Sequence, residues 1–595
     1  MNTVTDPQFV VVARDLVRVF PGASKKMPET RALDGLTLNI RAGELTALVG
    51  PDGAGKTTFQ RLIAGLYAPT SGSLTVLDTD VVTDPQSVQN RISYMPQRFG
   101  LYEDLSVQEN LDLYADLHGV AQQERASRFE RLLSITDLAR FTERPAGKLS
   151  GGMKQKLGLA CTLVRSPDLL LLDEPSVGVD PLSRRDLWKI IEQLVQDENL
   201  SVIISTAYMD EAERCAQVYV MNQGKILASG TPEELRKKAE GRTWLAIPSE
   251  GTKSRMLQAH LLEKRDTIAD AVPKGDAVRF ICQSPDDKTT PAEVNAVPRD
   301  ADLEDGFMLL LHQAQQKDND VGTTAPVKPE MVSSRETEHQ NEKPVITVKD
   351  LVRQFGDFTA VASTSFDVKR GEIFGLLGPN GAGKTTTFRM LCGLLPATSG
   401  QLEVAGLNLR TARAKARARI GYVSQKFALY SNLSVKENLT FFGGAYGLSG
   451  EKLSRQIESS LHQFALNPDA ISGELPGGFK QRLSMAVALL HEPEIVFLDE
   501  PTSGIDPVAR RLFWYTIGEL ANKGITIIVT THFMEEAEYC DRIAIQDAGK
   551  MLALGTPKEV RQMAGLNHTA DMNTAFIAIV ENARASAKSK EPAHA

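Results

Sequence analysis

Apolar residues along this chain gather in short runs set between polar and glycine-rich stretches. Leu45–Val49, Leu169–Leu172 and Ile373–Leu377 are continuous apolar runs of strand length, the pattern expected of parallel strands buried on both faces. Phe129, Leu132 and Leu133 instead recur at helical spacing. Trp244–Ile247 and Ala277–Cys282 read as strands, and Ser254–Arg265 as a helix with Leu257 and Leu261 on one face. Leu303–Leu311 and Met572–Val580 share one pattern, with Phe307 and Phe576 at matching places. Both predict short amphipathic helices that dock back onto their domains. No run approaches the ~20 residues needed to cross a bilayer. Met1–Arg14 has no basic segment followed by an apolar core, so no signal peptide is expected. The expected location is the cytosol, unless a partner holds the chain at a membrane.

The pattern also repeats. Leu48–Thr58 recurs as Leu376–Thr386, Gly100–Leu111 as Ala428–Leu439, Leu172–Pro175 as Leu498–Pro501 and Asp210–Glu213 as Glu535–Glu538, at offsets of 325 to 328 residues. So long a period means a duplicated domain rather than a solenoid. The copies are expected at 8–240 and 344–562, with a small α+β segment at 242–312. Residues 313–343 are expected to be a polar linker, because Gln316–Lys343 lacks aromatics and is rich in Asp, Glu, Lys, Thr and Pro. Residues 563–595 are expected to hold the second docking helix and a flexible tail, unstructured over Arg584–Ala595. Lys+Arg number 67 against 75 Asp+Glu, and the net charge of −8 argues against a mainly electrostatic nucleic-acid binder. No nucleic-acid partner is expected. Cys161, Cys215, Cys282, Cys392 and Cys540 are scattered without metal spacing and read as reduced thiols.

Candidate chemistry sits at the ends of the apolar strands. Gly50, Pro51, Asp52, Gly53, Ala54, Gly55, Lys56, Thr57 and Thr58 fit the Gly-x-x-x-x-Gly-Lys-Thr phosphate-binding loop. Gly378, Pro379, Asn380, Gly381, Ala382, Gly383, Lys384, Thr385 and Thr386 fit it again. Each loop follows a strand and opens a helix, so that backbone N–H groups and a helix N-terminus can wrap phosphates. Lys56 and Lys384 then meet the β/γ-phosphates, and Thr57 and Thr385 a Mg²⁺ ion. Pro167–Glu174 and Pro493–Glu500 are apolar strands that end in two carboxylates. Asp173 and Asp499 can hold the Mg²⁺ shell, while Glu174 and Glu500 can orient or deprotonate water.

A third element narrows the class. Leu149–Leu157, with Ser150, Gly151 and Gly152, resembles the signature motif of ATP-binding-cassette (ABC) ATPases. Gln97 and Gln425 resemble the Q-loop glutamine, which in that family links the Mg²⁺ site to the partner domain. Asp180 and Asp506 resemble the D-loop aspartate that crosses the dimer interface. His532 resembles the switch histidine that contacts the γ-phosphate, and Phe20 and Phe355 the aromatic residue that stacks on adenine. The resemblance covers both copies and implies an α/β fold: two P-loop, RecA-like ABC ATPase domains, each with a helical subdomain. A small α+β segment and a polar linker join them, and the implied ligands are ATP and Mg²⁺. It also implies that the cassettes close head-to-tail, each ATP lying between one copy's phosphate loop and the other's signature. With both copies on one chain, the dimer is intramolecular.

Met209–Glu213 and Met534–Glu538 resemble the corresponding segments of drug-exporter ATPases. Tandem-cassette translation factors instead carry an Asn-His-Leu-Asp element after the carboxylate strand and a long charged helical linker. This chain has Pro175–Asp180 and Pro501–Asp506 at that place. An importer ATPase, running the same catalysis with reversed transport, stays open. Gly50–Lys56, Lys148–Leu163 and Val529–Met534 resemble the fused two-cassette subunits of ABC-2-type multidrug exporters. That resemblance implies two separate ABC-2-type permease subunits, attachment through them to the cytoplasmic face of the inner membrane, and efflux of amphipathic compounds. The substrate does not follow, because the permeases select it. Each copy departs from the family once. Ala207 aligns with His532, and Pro476, ahead of Gly477 and Gly478, aligns with Ser150. In a head-to-tail sandwich both departures fall on the site built on Lys56. Unequal sites are therefore expected, with Glu500 and His532 carrying catalysis and Glu174 in the slower site.

Overall fold

The computed structural model describes residues 9–22, 29–97, 99–249, 251–264, 266–287, 289–319, 343–567 and 570–588. In the first copy a six-stranded sheet runs Lys225–Gly230, Gln217–Asn222, Leu45–Val49, Ser201–Thr206, Leu169–Asp173, Ile92–Met95. Its strands are parallel except Lys225–Gly230, which returns antiparallel at one edge. Every residue of Leu45–Val49 and Leu169–Asp173 is buried, which is why these strands are apolar but for Thr46 and the terminal Asp173. The second copy repeats the arrangement with Lys550–Gly555, Arg542–Asp547, Ile373–Leu377, Thr526–Thr531, Ile495–Asp499 and Ile420–Val423. Asp173 lies in register with Ser205, and Asp499 with Thr530. The phosphate loop, the paired carboxylates and the loop after Thr206 or Thr531 therefore leave the sheet at the carboxyl ends of adjacent strands, where α/β sheets bind ligands.

Each core carries a helical subdomain. Its first helices are Val107–Leu117 and Gln122–Ile135 in one copy, Val435–Ala445 and Gly450–Gln463 in the other. Phe129, Leu132 and Leu133 are buried, as their spacing predicts. Ser106 and Ser434 open these subdomains with reciprocal caps. Their hydroxyls accept from the N–H of Glu109 and Glu437 at 3.2 Å, and those carboxylates accept from the serine N–H at 2.7 Å.

Between the copies, an antiparallel sheet runs Ile268–Lys274, Ala277–Cys282, Thr243–Ala246, Val297–Pro298. Helix Ser254–Glu263 packs on it through Leu261 and Leu257. Two of its strands are the expected ones. Ile268–Lys274 and Val297–Pro298 are additional, the first masked by Asp270 and Pro273 and the second by its shortness. Asp270 has a partner outside the segment: Arg511 of the second cassette lies 3.4 Å from it and 2.7 Å from Glu304. Arg255 also reaches that cassette, donating to Gly371 O (3.0 Å) and Asn522 Oδ1 (2.8 Å), and Gly275 N donates to Glu538 Oε2 at 2.6 Å. Arg511→Ala should leave the buried Asp270 without its ion-pair partner, while Glu304 keeps Arg279. The expected loss is about 3 kcal/mol, read as a lowered denaturation midpoint. A change within about 0.5 kcal/mol would contradict this docking.

The two docking helices are longer than the sequence predicts. Leu303–Asn319 buries Phe307, Leu309 and Leu311 in the first core and runs past 313, where the linker is expected to begin. The rest of the expected linker, 320–342, lies outside the described residues. Met572–Lys588 buries Phe576 and Val580 in the second core and continues through Arg584, the expected start of the unstructured tail. Arg584 holds that turn to the core, with Nε 2.7 Å and Nη2 3.0 Å from Asp547, and alanines at 583, 585 and 587 favour helix. Residues 589–595 lie outside the described residues. All five cysteines are buried and unpaired.

Candidate nucleotide sites

Each phosphate loop needs glycine where backbone meets backbone. Gly55 and Gly383 have φ of 102° and 101°, and a Cβ on them would stand 2.6 Å from Ala32 O and 2.5 Å from Ala360 O. Helices Lys56–Ile63 and Lys384–Leu391 follow directly, with Thr57, Thr58, Thr385 and Thr386 in their first turns. Lys56 Nζ donates to Gly50 O (2.7 Å) and Pro51 O (3.1 Å), Lys384 Nζ to Gly378 O (2.6 Å) and Pro379 O (3.0 Å). Both ammonium groups are buried. Burial pulls the Lys384 ammonium below its ordinary range, against the opposing charges of Glu500, Asp180 and Asp499. A cation held this way by neutral carbonyls is poised for an anion.

The carboxylates stand beside these loops. Asp173 accepts from Thr57 Oγ1 (3.0 Å), Ser205 Oγ (2.6 Å) and Tyr94 OH (3.1 Å), and Asp499 from Thr530 Oγ1 (2.6 Å). Burial raises the Asp499 carboxyl while the Thr530 bond opposes it. Glu174 and Glu500 both hold a left-handed backbone, φ 49° and 46°, a strain that non-glycine residues keep where the surroundings enforce it. The enforcement is visible: Glu174 N donates to Ser205 O and Oγ at 3.1 Å, Glu500 N to Thr530 O and Oγ1 at 3.0 Å. Gln97 Nε2 donates to Glu174 Oε2 (2.7 Å) and Gln425 Nε2 to Glu500 Oε2 (2.6 Å), so both glutamines bond the glutamates rather than Asp173 or Asp499.

At this point the copies diverge. His532 Nδ1 lies 3.1 Å from Glu500 Oε2, and its buried Nε2 has no hydrogen-bond partner among the described residues. Burial pushes the Glu500 carboxyl up, but His532, Lys384 and Gln425 outweigh it and hold the group below its ordinary range. Ala207 offers Glu174 no such partner. Burial pushes the Glu174 carboxyl up to about 7, against the pull of Lys56 at 3.9 Å and with Asp173 adding to the rise.

Several supporting residues escape sequence reasoning. Ser205, Thr530 and Tyr94 orient the aspartates. Glu211 and Glu536 accept from Thr206 and Thr531 at 2.6 Å, and those hydroxyls accept from Tyr208 N (3.0 Å) and Phe533 N (2.9 Å). The available signal is a hydroxyl at the end of an otherwise apolar strand, repeated in both copies.

The copies face each other at their signatures. Ser150 caps helix Gly151–Leu163 by accepting from Met153 N at 3.3 Å; Pro476 precedes helix Gly477–Leu489, which forms with no side-chain cap. A Cβ on Gly151 would lie 3.3 Å from Asn380 Nδ2, and one on Gly477 3.5 Å from Asp52 Oδ2. Gly152 and Gly478 pack instead toward Ser183 and Ala509 of their own copies. Asp180 accepts from Ser183 N (3.1 Å), and Asp506 from Val508 N and Ala509 N (2.9 Å each), so both aspartates cap helices. Their charges also act across the copies, Asp180 on Lys384 and Asp506 on Asp52. Phe20 sits edge-on to Tyr67 (5.5 Å) beneath Arg18, whereas Phe355 is exposed beneath Arg353.

Two phosphate loops, each facing the signature helix of the other copy, define a two-cassette ATPase of the ABC class. The chain belongs to the ABC transporter family, whose description "ABC transporter" matches residues 33–177 and 361–503. It is 47% identical over 584 residues to "Probable multidrug ABC transporter ATP-binding protein YbhF" of Escherichia coli (strain K12), covering 96% of this chain and 98% of that protein. It is 41% identical over 224 residues to "Linearmycin resistance ATP-binding protein LnrL" of Bacillus subtilis (strain 168), covering 37% of this chain and 72% of that protein. Among solved structures, a dimeric ATP-binding cassette bound to ADP and Pi is 22% identical, with a TM-score of 0.35, covering 37% of this chain and 98% of that one. This chain is an ATP-binding subunit of an ABC transporter and an ATPase. Among the described residues, no helix is long and apolar enough to cross a membrane.

Proposed function

We propose that this chain is the motor of a multidrug exporter, closing around ATP as an intramolecular head-to-tail dimer to drive efflux of amphipathic compounds. The observation that carries the closure is reciprocal: Gly151 abuts Asn380 and Gly477 abuts Asp52; the efflux reading draws on the 47% identity to the probable multidrug transporter subunit. Two ABC-2-type permease subunits would hold the chain at the cytoplasmic face of the inner membrane. A groove of about 210 Å³ with Leu66, Tyr94, Phe99 and His118 on its walls supports such docking at the first copy. Exposed Tyr430 and Phe441 support it at the second.

In the second site Glu500 is the candidate base, oriented by Gln425 and kept ionised by His532. The buried Nε2 of His532, without a partner among the described residues, is the atom left available to a γ-phosphate oxygen. Lys384 and the loop N–H groups hold the β/γ-phosphates, and Ser150 and Gly151 approach from the facing copy. Thr385 with Asp499, and Thr57 with Asp173, are hard oxygen donors that fit Mg²⁺, which supplies charge neutralisation when bound. Phe20 and Phe355 are the candidate adenine platforms. The first site keeps Lys56, Asp173 and Glu174 but has Ala207 and Pro476 where its counterpart has a histidine and a serine. Proline supplies neither a hydroxyl nor an N–H. Losing one preorganised donor costs ~10²–10³ in rate, so this site is expected to be slow.

Cell fractionation with the permeases co-expressed tests the assignment. The chain should sediment with membranes and return to the soluble fraction when the permeases are absent. Recovery on ribosomes with permeases present would favour the translation-factor reading and overturn this one.

A further inference from the structure

We infer that Asp52 sets the two ATP sites apart by denying its own interface a bond that Asn380 makes at the other. The inference rests on the head-to-tail reading above. Asn380 Nδ2 donates to Gly178 O of the facing copy at 3.4 Å, in the loop that leads to Asp180. By the repeat, Asp52 stands at the place of Asn380, and Gly504 at the place of Gly178. Among the described residues no hydrogen bond joins Asp52 to Gly504. The chemistry explains the gap, because an ionised carboxylate only accepts and so does the Gly504 carbonyl.

Charge acts in the same direction. Asp52 faces the N-terminus of helix Gly477–Leu489, whose positive end must serve the γ-phosphate in this site. A carboxylate there competes with the phosphate, whereas Asn380, facing Gly151, carries no charge. The charged groups around Asp52 are Lys56 on its own loop, Glu174 behind it and Asp506 from the facing copy. Two of these three repel it. Asp52 keeps contact with solvent in the cleft, yet the protein crowding it, with Asp506, pushes its carboxyl above the ordinary range. Asp52 is thus a positioning residue. It weakens the seal over the Lys56 site and leaves the Lys384 site as the tighter holder of nucleotide.

Release of radiolabelled ATP from the full chain carrying Glu174→Gln and Glu500→Gln, diluted into unlabelled ATP, tests this. Two phases of equal amplitude are expected, their rates differing about tenfold or more, the scale of one lost polar contact plus an uncompensated charge. Asp52→Asn should slow the fast phase toward the slow one, and Asn380→Asp should speed the slow phase. Thermal melting of each variant checks that it is folded. Equal release from both sites before substitution, or phases unmoved by both substitutions, would overturn the role of Asp52 while leaving the sandwich intact. Absence of any slow phase, together with no compaction on ATP by small-angle scattering, would overturn the sandwich and this inference with it.

Discussion

Glu500→Gln should abolish nearly all steady-state ATP hydrolysis, whereas Glu174→Gln should leave a substantial fraction. Glu500 is buried and Glu174 partly so, and both share a strained backbone and accept from a glutamine, so the difference lies in what surrounds them. Glu500 has His532 at 3.1 Å and faces Ser150; Glu174 has Ala207 and faces Pro476. Two missing donors, each worth ~10²–10³, leave the Lys56 site little to contribute to turnover. The retained Glu174 should leave that site chemically equipped but slow. Coupled sites can stop together in steady state, so the comparison is decided by single-turnover rates of the two variants. Glu174→Gln should leave the fast phase intact and Glu500→Gln should remove it; loss of the same phase in both would contradict the assignment.

Lys384→Ala should lower ATP affinity ~10–100-fold and abolish closure of the two halves on Mg-ATP. Lys384 is 4% exposed and its ammonium is held by two loop carbonyls, so it is positioned for a phosphate rather than recruited from solvent. Charge-assisted hydrogen bonds of that kind contribute about 1.5–3 kcal/mol each, which sets the expected scale. Equilibrium binding and small-angle scattering measure the two effects. Unchanged affinity together with unchanged compaction would contradict the role given to Lys384.

The two cassettes are legible because their strands are apolar on both faces and end in motifs whose residue types are dictated by phosphate. Leu45–Val49 ends at Gly50 and Leu169–Leu172 at Asp173, and the sheet register brings these ends together. The helical subdomain is legible from the spacing of Phe129, Leu132 and Leu133. What local pattern does not carry is pairing between distant segments. Asp270 makes Ile268–Lys274 look unlike a strand because its partner, Arg511, lies in another domain. Arg584 looks like part of a tail because Asp547 is far from it in sequence. Gln97 and Gln425 are visible as candidates, but their attachment to glutamates depends on how two loops meet. The contrast between Asp52 and Asn380 is plain in the sequence; its meaning comes from the carbonyl oxygens that each faces.

One chain should close over two ATP molecules and cleave only one of them quickly. Rapid-quench hydrolysis measures it directly, using the unsubstituted full-length chain saturated with Mg-ATP at two nucleotides per chain. A burst is expected in which one ATP per chain is cleaved and the second follows ~10²-fold or more slowly. Glu500→Gln should remove the burst while sparing the slow phase. A single phase in which both ATP molecules are cleaved at one rate would contradict the account.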